Sequence, residues 1–310
     1  MNADVDRLAA LARLDRRRCR MLALLVWFAV LPCAPAEAEN PVATQGDAGA
    51  SETERVDATG PKDEAGQTPS PAVCDRANFR MIIDVGHTET NYGAVSAHGK
   101  FEFDFNRRLA QELATRLWVN DFGRTDVVIQ TDSDLARRAR DLSSRKPNLV
   151  LSLHHDSVQD KYLKTGELDG QIRTFTEGFR GYSIFVSRDN AYLDDSERFA
   201  RMIGGALLAQ GLKPTFHHHE QENRPIYDPE SGVFFYDLLV VLRQTTAPAV
   251  LLESAVITNP EDEAKADDPA YRKKITDAIV SAVIHFCDAR ARSRAALPKP
   301  ASPDKSGARK

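Results

Sequence analysis

The residues with the clearest chemical potential are two histidines and two glutamates spread along the 310-residue sequence. His87, Glu102 and His154 offer two imidazole nitrogens and one carboxylate, a ligand set that zinc accepts. Three protein ligands leave a fourth tetrahedral position for water, as a catalytic zinc site requires. Glu253 supplies another carboxylate, which could take a proton from that water and pass it to a leaving nitrogen. Together these residues predict a zinc hydrolase, provided that the fold brings them together.

Each of these residues also has an ordinary structural interpretation. A single histidine at the end of a strand is more often a hydrogen-bonded or solvated residue than a metal ligand. A glutamate in the first turn of a helix, such as Glu102, commonly stabilises the helix dipole by about 0.3–1 kcal/mol. Glu253 fits this interpretation least, because it closes the apolar run 249–252, where an unpaired charge is costly. The elements that carry the residues must therefore decide between the two interpretations.

The hydrophobic pattern predicts strands that alternate with helices. Short apolar or β-branched runs typical of strands lie at 78–84, 126–130, 149–153, 182–186 and 250–252. Helices are predicted at 102–119, 132–144 and 196–210, and from Pro269 onwards. This alternation indicates an α/β fold, a single domain whose mostly parallel twisted sheet is flanked by helices.

The predicted strands end close to the candidate site residues. His87 and His154 come at the ends of two strands, and Glu253 follows a third. Because the carboxyl ends of parallel strands lie at one edge of the sheet, these side chains should converge there. Glu102 begins the first helix, directly after the His87 loop, so its carboxylate can face the same edge. We therefore predict a zinc site at the carboxyl ends of the strands.

The amino-terminal segment has the composition of an export signal. A basic cluster at 16–20 precedes an apolar run at 21–31, and Ala36-Glu37-Ala38 fits signal-peptidase cleavage. A membrane-anchoring helix is the alternative, but the run is shorter than the roughly 20 residues that a span needs. We predict that 1–38 is a signal peptide and that the protein is exported, periplasmic or secreted. No stable membrane span is expected after cleavage.

Two further segments are too polar to fold alone, and they bound the domain. Residues 39–72 should be a disordered linker and 290–310 a disordered tail, because neither contains enough apolar surface to offset its ordering entropy. Residues 73–289 then form the catalytic domain, which is long enough for a single core. A net charge of −4 argues against a nucleic-acid partner, which would favour a basic face.

Two cysteines lie near the two ends of the predicted domain. Cys74 and Cys287 could form a disulfide in an oxidising compartment, which would tie the ends of the domain together. Two unrelated buried thiols are the alternative. The sequence leaves both open, because it does not give the Cα separation that bridging requires.

Four short motifs occur in the order found in a known enzyme family. They are Asp84-x-Gly86-His87, then Glu102-x-Asp104-x-Asn106, then Ser152-x-His154-x-Asp156, and finally 248–254 followed by Asn259-Pro260-x-Asp262-Glu263. Together they resemble the zinc-dependent N-acetylmuramoyl-L-alanine amidases with a type-3 catalytic domain. The resemblance spans nearly all of the predicted domain, from Arg80 to Phe286.

The resemblance implies a reaction and the residues that perform it. It implies that His87, Glu102 and His154 bind Zn²⁺ and that Glu253 is the catalytic residue. The implied reaction hydrolyses the amide between N-acetylmuramic acid and L-alanine. The implied partner is peptidoglycan, with a protein activator left open. The alternatives are another exported zinc amidohydrolase or carboxypeptidase acting on peptides or N-acyl amino acids, and an inactive wall-binding relative.

Two long polar segments, 158–180 and 213–236, fall outside the strand–helix alternation and are predicted to be loops. The second contains His217, His218 and His219, which we expect in a solvated loop because consecutive residues cannot all face one ion. An alternative is that one of the loops covers the zinc site, with Glu220 or a carboxylate of 158–180 at the open position. His98 and His155 are expected to be exposed. Asp156 is expected to contact a ligand histidine or to cap the next segment.

Overall fold

The computed structural model describes residues 73–296. The predicted signal peptide (1–38) and linker (39–72) lie outside these residues. Within them, none of the helices combines the length and the apolar character that crossing a membrane requires.

The described chain folds into nine strands and six α-helices. The strands are β1 (Met81–Val85), β2 (Thr125–Val128), β3 (Leu149–Asp156), β4 (Lys164–Leu168), β5 (Gln171–Phe175), β6 (Ser183–Val186), β7 (Ile226–Asp228), β8 (Val233–Phe235) and β9 (Ala249–Val256). The helices are α1 (Glu102–Val119), α2 (Leu135–Ser144), α3 (Leu193–Ala209), α4 (Val240–Gln244), α5 (Pro260–Asp267) and α6 (Pro269–Ala295).

Seven strands form one mixed sheet in the order β2-β1-β3-β9-β6-β8-β7. The first four run parallel to one another, β6 runs antiparallel to β9, and β8 runs parallel to β6. The fold is thus α/β with a mostly parallel sheet flanked by helices, which confirms the predicted fold class. β4 and β5 form a separate antiparallel hairpin.

The central strands are buried because helices cover both faces of the sheet. On β1, Met81, Ile83 and Val85 belong to the core that includes residues of α1, α3 and α6. Ile82 points to the other face, where it joins a second core with residues of α2 and α4. This double coverage explains why these strands are continuous apolar runs.

The helix α1 shows how directly the apolar period specifies this part of the fold. Its bounds, Glu102 and Val119, are those that the sequence predicted. Phe105, Leu109 and Leu113, spaced four residues apart, all lie on its buried face. The acidic residues in its first turn, Glu102 and Asp104, interact favourably with the positive end of the helix dipole.

The two segments predicted to be loops contain regular structure. The β4–β5 hairpin lies within 158–180, and β7 and β8 within 213–236 extend the main sheet. The strands were missed because each is short and β4 and β5 expose most of their residues. The sequence signal for such a hairpin is its turn rather than an apolar alternation along the strands. Here Asp169 and Gly170 form the turn, and both have positive φ angles.

The predicted tail boundary at Arg290 is wrong, because α6 continues to Ala295. The Nη1 group of Arg290 donates to the carbonyl oxygen of Asn148 at 2.7 Å. This contact with the segment that precedes β3 extends the folded domain beyond Ala289.

A disulfide joins Cys74 to Cys287, so of the two alternatives that the sequence left open the structure has the bridge between the ends of the domain. The two Cα atoms are 5.3 Å apart although the residues are separated by 213 positions. The backbone N–H of Cys74 also donates to the carboxylate of Asp288 at 3.1 Å. The bridge lies beside Phe79 and Asn148, at the amino ends of β1 and β3.

Candidate metal centre and catalytic pocket

His87, Glu102 and His154 come together at the carboxyl edge of the sheet. The Nε2 of His87 lies 2.9 Å from Oε2 of Glu102, and the Nδ1 of His154 lies 2.9 Å from Oε1. The possible ligand atoms of the three residues all lie within 4.8 Å of one another. The histidine side chains keep 29% and 16% of their surface exposed, whereas Glu102 is buried. The trio can hold a metal ion and still be reached from outside.

The backbone around the trio is shaped to let the rings approach. His87 has a φ angle of 66°, an unusual conformation for a residue other than glycine and one that occurs preferentially at functional sites. Gly86 lies against the ring of His154, where a Cβ atom would come within 2.6 Å of it. Gly93 lies against His87 and Glu102 with a positive φ angle of 76°. Glycine is therefore required at both positions by the close packing of the ligand side chains.

Glu102 is fixed by donors on several sides. The backbone N–H of Ala94 donates to Oε2 at 2.9 Å, and that of His155 donates to Oε1 at 3.2 Å. Asn106 donates its amide N–H to Oε1 at 3.1 Å, one turn further along α1. Burial opposes ionisation, but the hydrogen bonds with His154 and His87 outweigh it and hold the pKa of Glu102 below its usual range. The carboxylate is thus held charged and in one orientation.

A buried ion pair supports the His87 loop from below. Arg138 on α2 donates from Nε to Asp84 at 2.7 Å, and its Nη2 donates to the carbonyl oxygen of Val85. Ser152 donates to the other oxygen of Asp84 at 2.8 Å. These contacts tie β1 to α2 and β3 just before His87. The first predicted motif therefore includes a residue, Asp84, that positions the loop.

Glu253 lies next to His154 in the register of β3 and β9. β9 continues to Val256, so Glu253 lies within the strand rather than at its end. Its Oε2 is buried and has no hydrogen-bond partner among the described residues. Burial raises the pKa of Glu253 well above its usual range, and the charges of Asp156 and Glu102 raise it further. Arg224 has the opposite effect.

A cavity of about 410 Å³ connects these groups. It is lined by all three members of the trio and by Glu253, and also by Arg224. A carboxyl group with a raised pKa beside a possible metal site is suited to take up and release a proton during a reaction. The arrangement can therefore support hydrolysis assisted by a metal and a general acid–base.

The prediction of a solvated loop is wrong for His217 and His218. Both lie in a short 3₁₀ helix, His217–Glu220, and both are buried. The Nε2 of His218 is 2.6 Å from Oδ2 of Asp156, and that of His217 is 3.3 Å from the same oxygen. The bonds of the Asp156 carboxylate in the described residues are thus with this second histidine cluster and the backbone N–H of Ser157, and it forms no hydrogen bond with His87 or His154 there.

Three other expectations for polar residues differ from the structure. His155 is buried beside Asn106, with its Nδ1 2.7 Å from Oδ1 of the amide. His98 is half-buried, and its Nδ1 lies 2.7 Å from the buried carboxylate of Glu263. Glu220 is bonded to Lys161 and Tyr162 and does not reach the trio.

Comparison with known proteins gives the family of the chain. The family model described as N-acetylmuramoyl-L-alanine amidase matches residues 81–285, about two thirds of the chain. The chain belongs to this family. The predicted resemblance is thereby confirmed. The matched residues of this amidase-family chain include the trio, Glu253 and the second histidine cluster.

The curated relatives and solved structures are more distant. The probable cell wall amidase LytH of Staphylococcus aureus is 26% identical over 210 residues, which are 66% of this chain and 58% of LytH. The chain therefore spans less than two thirds of the length of this relative.

Two solved structures share the fold. The amidase Ami1 of Mycobacterium smegmatis is 20% identical with a TM-score of 0.53, and the alignment covers 71% of this chain and all of Ami1. An N-acetylmuramoyl-L-alanine amidase from Clostridium difficile 630 is 19% identical with a TM-score of 0.52, and the alignment covers 68% of this chain and 98% of that structure.

Sequence reasoning missed the polar residues that face the cavity from the segment 213–236. His218, Arg224 and Tyr236 all line it, but they come from a 3₁₀ helix, a connecting segment and the position just after β8. No local spacing relates them to the trio. The signal in the sequence is the pair of adjacent histidines, His217 and His218, which act here as hydrogen-bond partners of Asp156.

Proposed function

We propose that this protein is a zinc-dependent N-acetylmuramoyl-L-alanine amidase that hydrolyses the amide between N-acetylmuramic acid and L-alanine in peptidoglycan. The observation that carries the proposal is the proximity of His87, Glu102 and His154 to Glu253 in one accessible cavity. Membership of the amidase family supplies the substrate class.

The residues present fit zinc. Two imidazoles and a carboxylate, with possible ligand atoms within 4.8 Å of one another, match the donor set of a catalytic zinc site with an open position. The hydrogen bonds from Ala94, His155 and Asn106 orient the carboxylate, as surrounding donors do at metal centres. When bound, zinc supplies Lewis-acid polarisation of the scissile carbonyl and lowers the pKa of water.

Glu253 performs the proton transfers of the reaction. Its carboxylate accepts a proton from the attacking water, and the resulting carboxylic acid donates that proton to the departing alanine nitrogen. The raised pKa of Glu253 supports this role, because catalytic acids and bases commonly have pKa values shifted by burial and by neighbouring charges. Its Oε2, which bonds to no other described side chain, is available for these transfers.

The proposed substrate lies in the cell wall, so the protein would be exported to the periplasm or secreted. This location agrees with the disulfide between Cys74 and Cys287, since such bonds persist mainly in oxidising compartments. Peptidoglycan is the proposed partner. A protein activator remains a prediction from the sequence.

The proposal is tested by digesting purified peptidoglycan with the zinc-loaded protein and identifying the new amino termini. We expect L-alanine termini, together with glycan strands that lack stem peptides. Glu253→Gln should reduce the rate by roughly 10²–10⁴-fold, the usual contribution of a general acid–base, while zinc content stays at the wild-type value.

Glu230→Gln is a matched control, because Glu230 is exposed and outside the cavity. New termini other than L-alanine would indicate a different zinc peptidase. Undiminished lysis by Glu253→Gln would contradict the role of that residue.

A further inference from the structure

The cavity that contains Glu253 also contains a cation for which the proposed reaction has no use. Arg224 is the only lysine or arginine among the described residues that line this cavity. The other charged groups there include Glu102, Asp156 and Glu253, all carboxyl groups. An arginine in such a position either balances these charges or binds an anionic part of the substrate.

The orientation of Arg224 is set by a chain of hydrogen bonds that leads to the buried Asp156. Its Nη1 contacts Nδ1 of His218 at 2.5 Å, and Nε2 of His218 contacts Oδ2 of Asp156 at 2.6 Å. A guanidinium can only donate, so Nδ1 of His218 must accept and its proton must be on Nε2, facing Asp156. Asp156 is fixed in turn by the backbone N–H of Ser157 at 2.8 Å.

This proton arrangement distinguishes the second cluster from the first. The possible ligand atoms of Asp156, His217 and His218 also lie close enough together to suggest a metal site. Metal binding at Nε2 of His218 would require a free electron pair there and would transfer the proton to Nδ1, against the guanidinium of Arg224. The contacts therefore favour a support for Arg224 over a second metal centre.

Aromatic rings restrict the guanidinium further. Its central carbon lies 4.2 Å from the ring centroid of Tyr236 and 5.9 Å from that of Phe185. Stacking of this kind suits a planar guanidinium and would not be reproduced by an ammonium group. Its Nε is buried without a hydrogen-bond partner among the described residues. Arg224 is thus rigidly placed, yet most of its guanidinium donors have no partner among residues 73–296.

The position of Arg224 relative to the trio identifies the part of the substrate that it can meet. A second cavity of about 410 Å³ also reaches His87 and His154, but its lining is mainly apolar and includes Leu135, Leu238 and Val240. Glu253 and Arg224 line the first cavity and not the second. The departing nitrogen must be close to Glu253, so the peptide that carries this nitrogen lies in the cavity with Arg224.

We propose that Arg224 binds a carboxylate of the departing peptide, and that His218 and Asp156 are positioning residues that hold the guanidinium for it. The proposal rests on the amidase function proposed above. It makes the enzyme selective for muramoyl peptides with an acidic group beyond the alanine. The second, apolar cavity that also reaches His87 and His154 is left for the acyl portion of the substrate.

The test uses two soluble N-acetylmuramoyl-L-alanyl-peptides of the same sequence. One keeps free carboxylates beyond the alanine, and in the other these groups are carboxamides. The zinc-loaded wild-type protein should prefer the carboxylate form by roughly 10- to 100-fold in kcat/KM, mainly through KM, as expected for a charge-assisted hydrogen bond. Equal rates for the two peptides would overturn the selectivity, and cleavage of neither would contradict the amidase function itself.

Variants then assign the preference to Arg224. Arg224→Gln should bring the ratio of the two kcat/KM values close to one, and Arg224→Lys should give an intermediate ratio because it keeps the charge but not the planar fork. His218→Gln should lower the ratio less than Arg224→Gln does. Arg140→Gln is the control, because Arg140 is exposed on α2 and outside both cavities.

A wild-type ratio in the Arg224→Gln variant would overturn the assignment. An equal loss of kcat on both peptides, with the ratio unchanged, would show that Arg224 only balances the charge of Glu253. If Arg224→Gln does not fold, the ratio measured for Arg224→Lys decides, since an unchanged ratio there would also exclude recognition by the guanidinium fork.

Discussion

The protein contains two clusters made of the same residue types, two histidines and a carboxylate, that differ in their surroundings. In the first, His87 and His154 are partly exposed around a buried Glu102. In the second, the side chains of His217, His218 and Asp156 are 7% exposed or less. In the first cluster, Glu102 also accepts hydrogen bonds from the backbone and from Asn106. In the second cluster, His218 also contacts Arg224.

This difference shows that the neighbours of a histidine decide its chemistry. A histidine can bind a metal only through a nitrogen that carries a free electron pair. In the second cluster, the contact with Arg224 directs that electron pair towards the guanidinium. The two clusters therefore have different expected roles, metal binding for the first and positioning for the second. Four substitutions test the distinction, from the largest expected effect to the smallest.

His154→Ala should remove bound zinc from the purified protein and reduce peptidoglycan hydrolysis to the background rate, because it deletes one of three protein ligands. Metal analysis and release of L-alanine termini measure the two effects. His218→Gln is the matched variant and should retain the wild-type zinc content. Loss of one equivalent of zinc in that variant would mean that the second cluster binds a metal.

His218→Phe should lower the free energy of unfolding by roughly 1.5–3 kcal/mol, since it removes a hydrogen bond to the buried carboxylate of Asp156. His218 and the hydrogen bond with His217 hold the pKa of Asp156 below its usual range although burial opposes ionisation. Denaturant titration gives the change. The double variant Asp156→Asn/His218→Phe should recover part of the loss, and failure to do so would argue against this ion–dipole pair as the cause.

Asn106→Ala should weaken zinc affinity by roughly 10- to 100-fold while leaving the three ligands in place, the effect commonly seen when a group that orients a metal ligand is removed. Competition with a chelator measures the affinity. Thr215→Val, which removes the hydroxyl 3.2 Å from Nδ1 of His217, is the corresponding change in the second cluster. Thr215→Val should leave zinc affinity unchanged. An equal loss of zinc affinity in both variants would contradict the different roles of the two clusters.

His217→Phe should change the free energy of unfolding by only about 1 kcal/mol, because Nε2 of His217 lies 3.3 Å from Oδ2 of Asp156, a longer and weaker contact than the 2.6 Å of His218. The centroid of the His217 ring lies 5.2 Å from that of the Phe179 ring, so an apolar ring fits this environment. The measurement is the same denaturant titration as for His218→Phe. A loss as large as that of His218→Phe would show that both histidines pair equally with Asp156.

Much of the fold and the first cluster followed from local patterns. The four-residue period that contains Phe105, Leu109 and Leu113 was sufficient to predict α1 with its correct bounds. The apolar runs of β1 and β3 predicted a doubly covered parallel sheet, and that topology brings His87 and His154 to one edge. These successes share one cause, because the period of a side-chain pattern depends on the element that carries it.

The second cluster could not be predicted in the same way. His218 meets Asp156 across 62 positions in the sequence, and Arg224 reaches the same pocket from a segment without regular structure. Whether a polar residue in such a segment is buried depends on which elements fold over it. The expectation for His217 and His218 failed because it considered only whether adjacent residues could share an ion.

The disulfide has a mechanical consequence for a protein proposed to act on a load-bearing polymer. Cys74 and Cys287 meet at the amino ends of β1 and β3, whereas His87 and His154 lie at the opposite edge. A pulling force applied between a point before Cys74 and a point after Cys287 would be transmitted through the sulfur–sulfur bond. The hydrogen-bonded strands of the domain would then carry almost none of that tension. The force would therefore leave the geometry of the pocket unchanged.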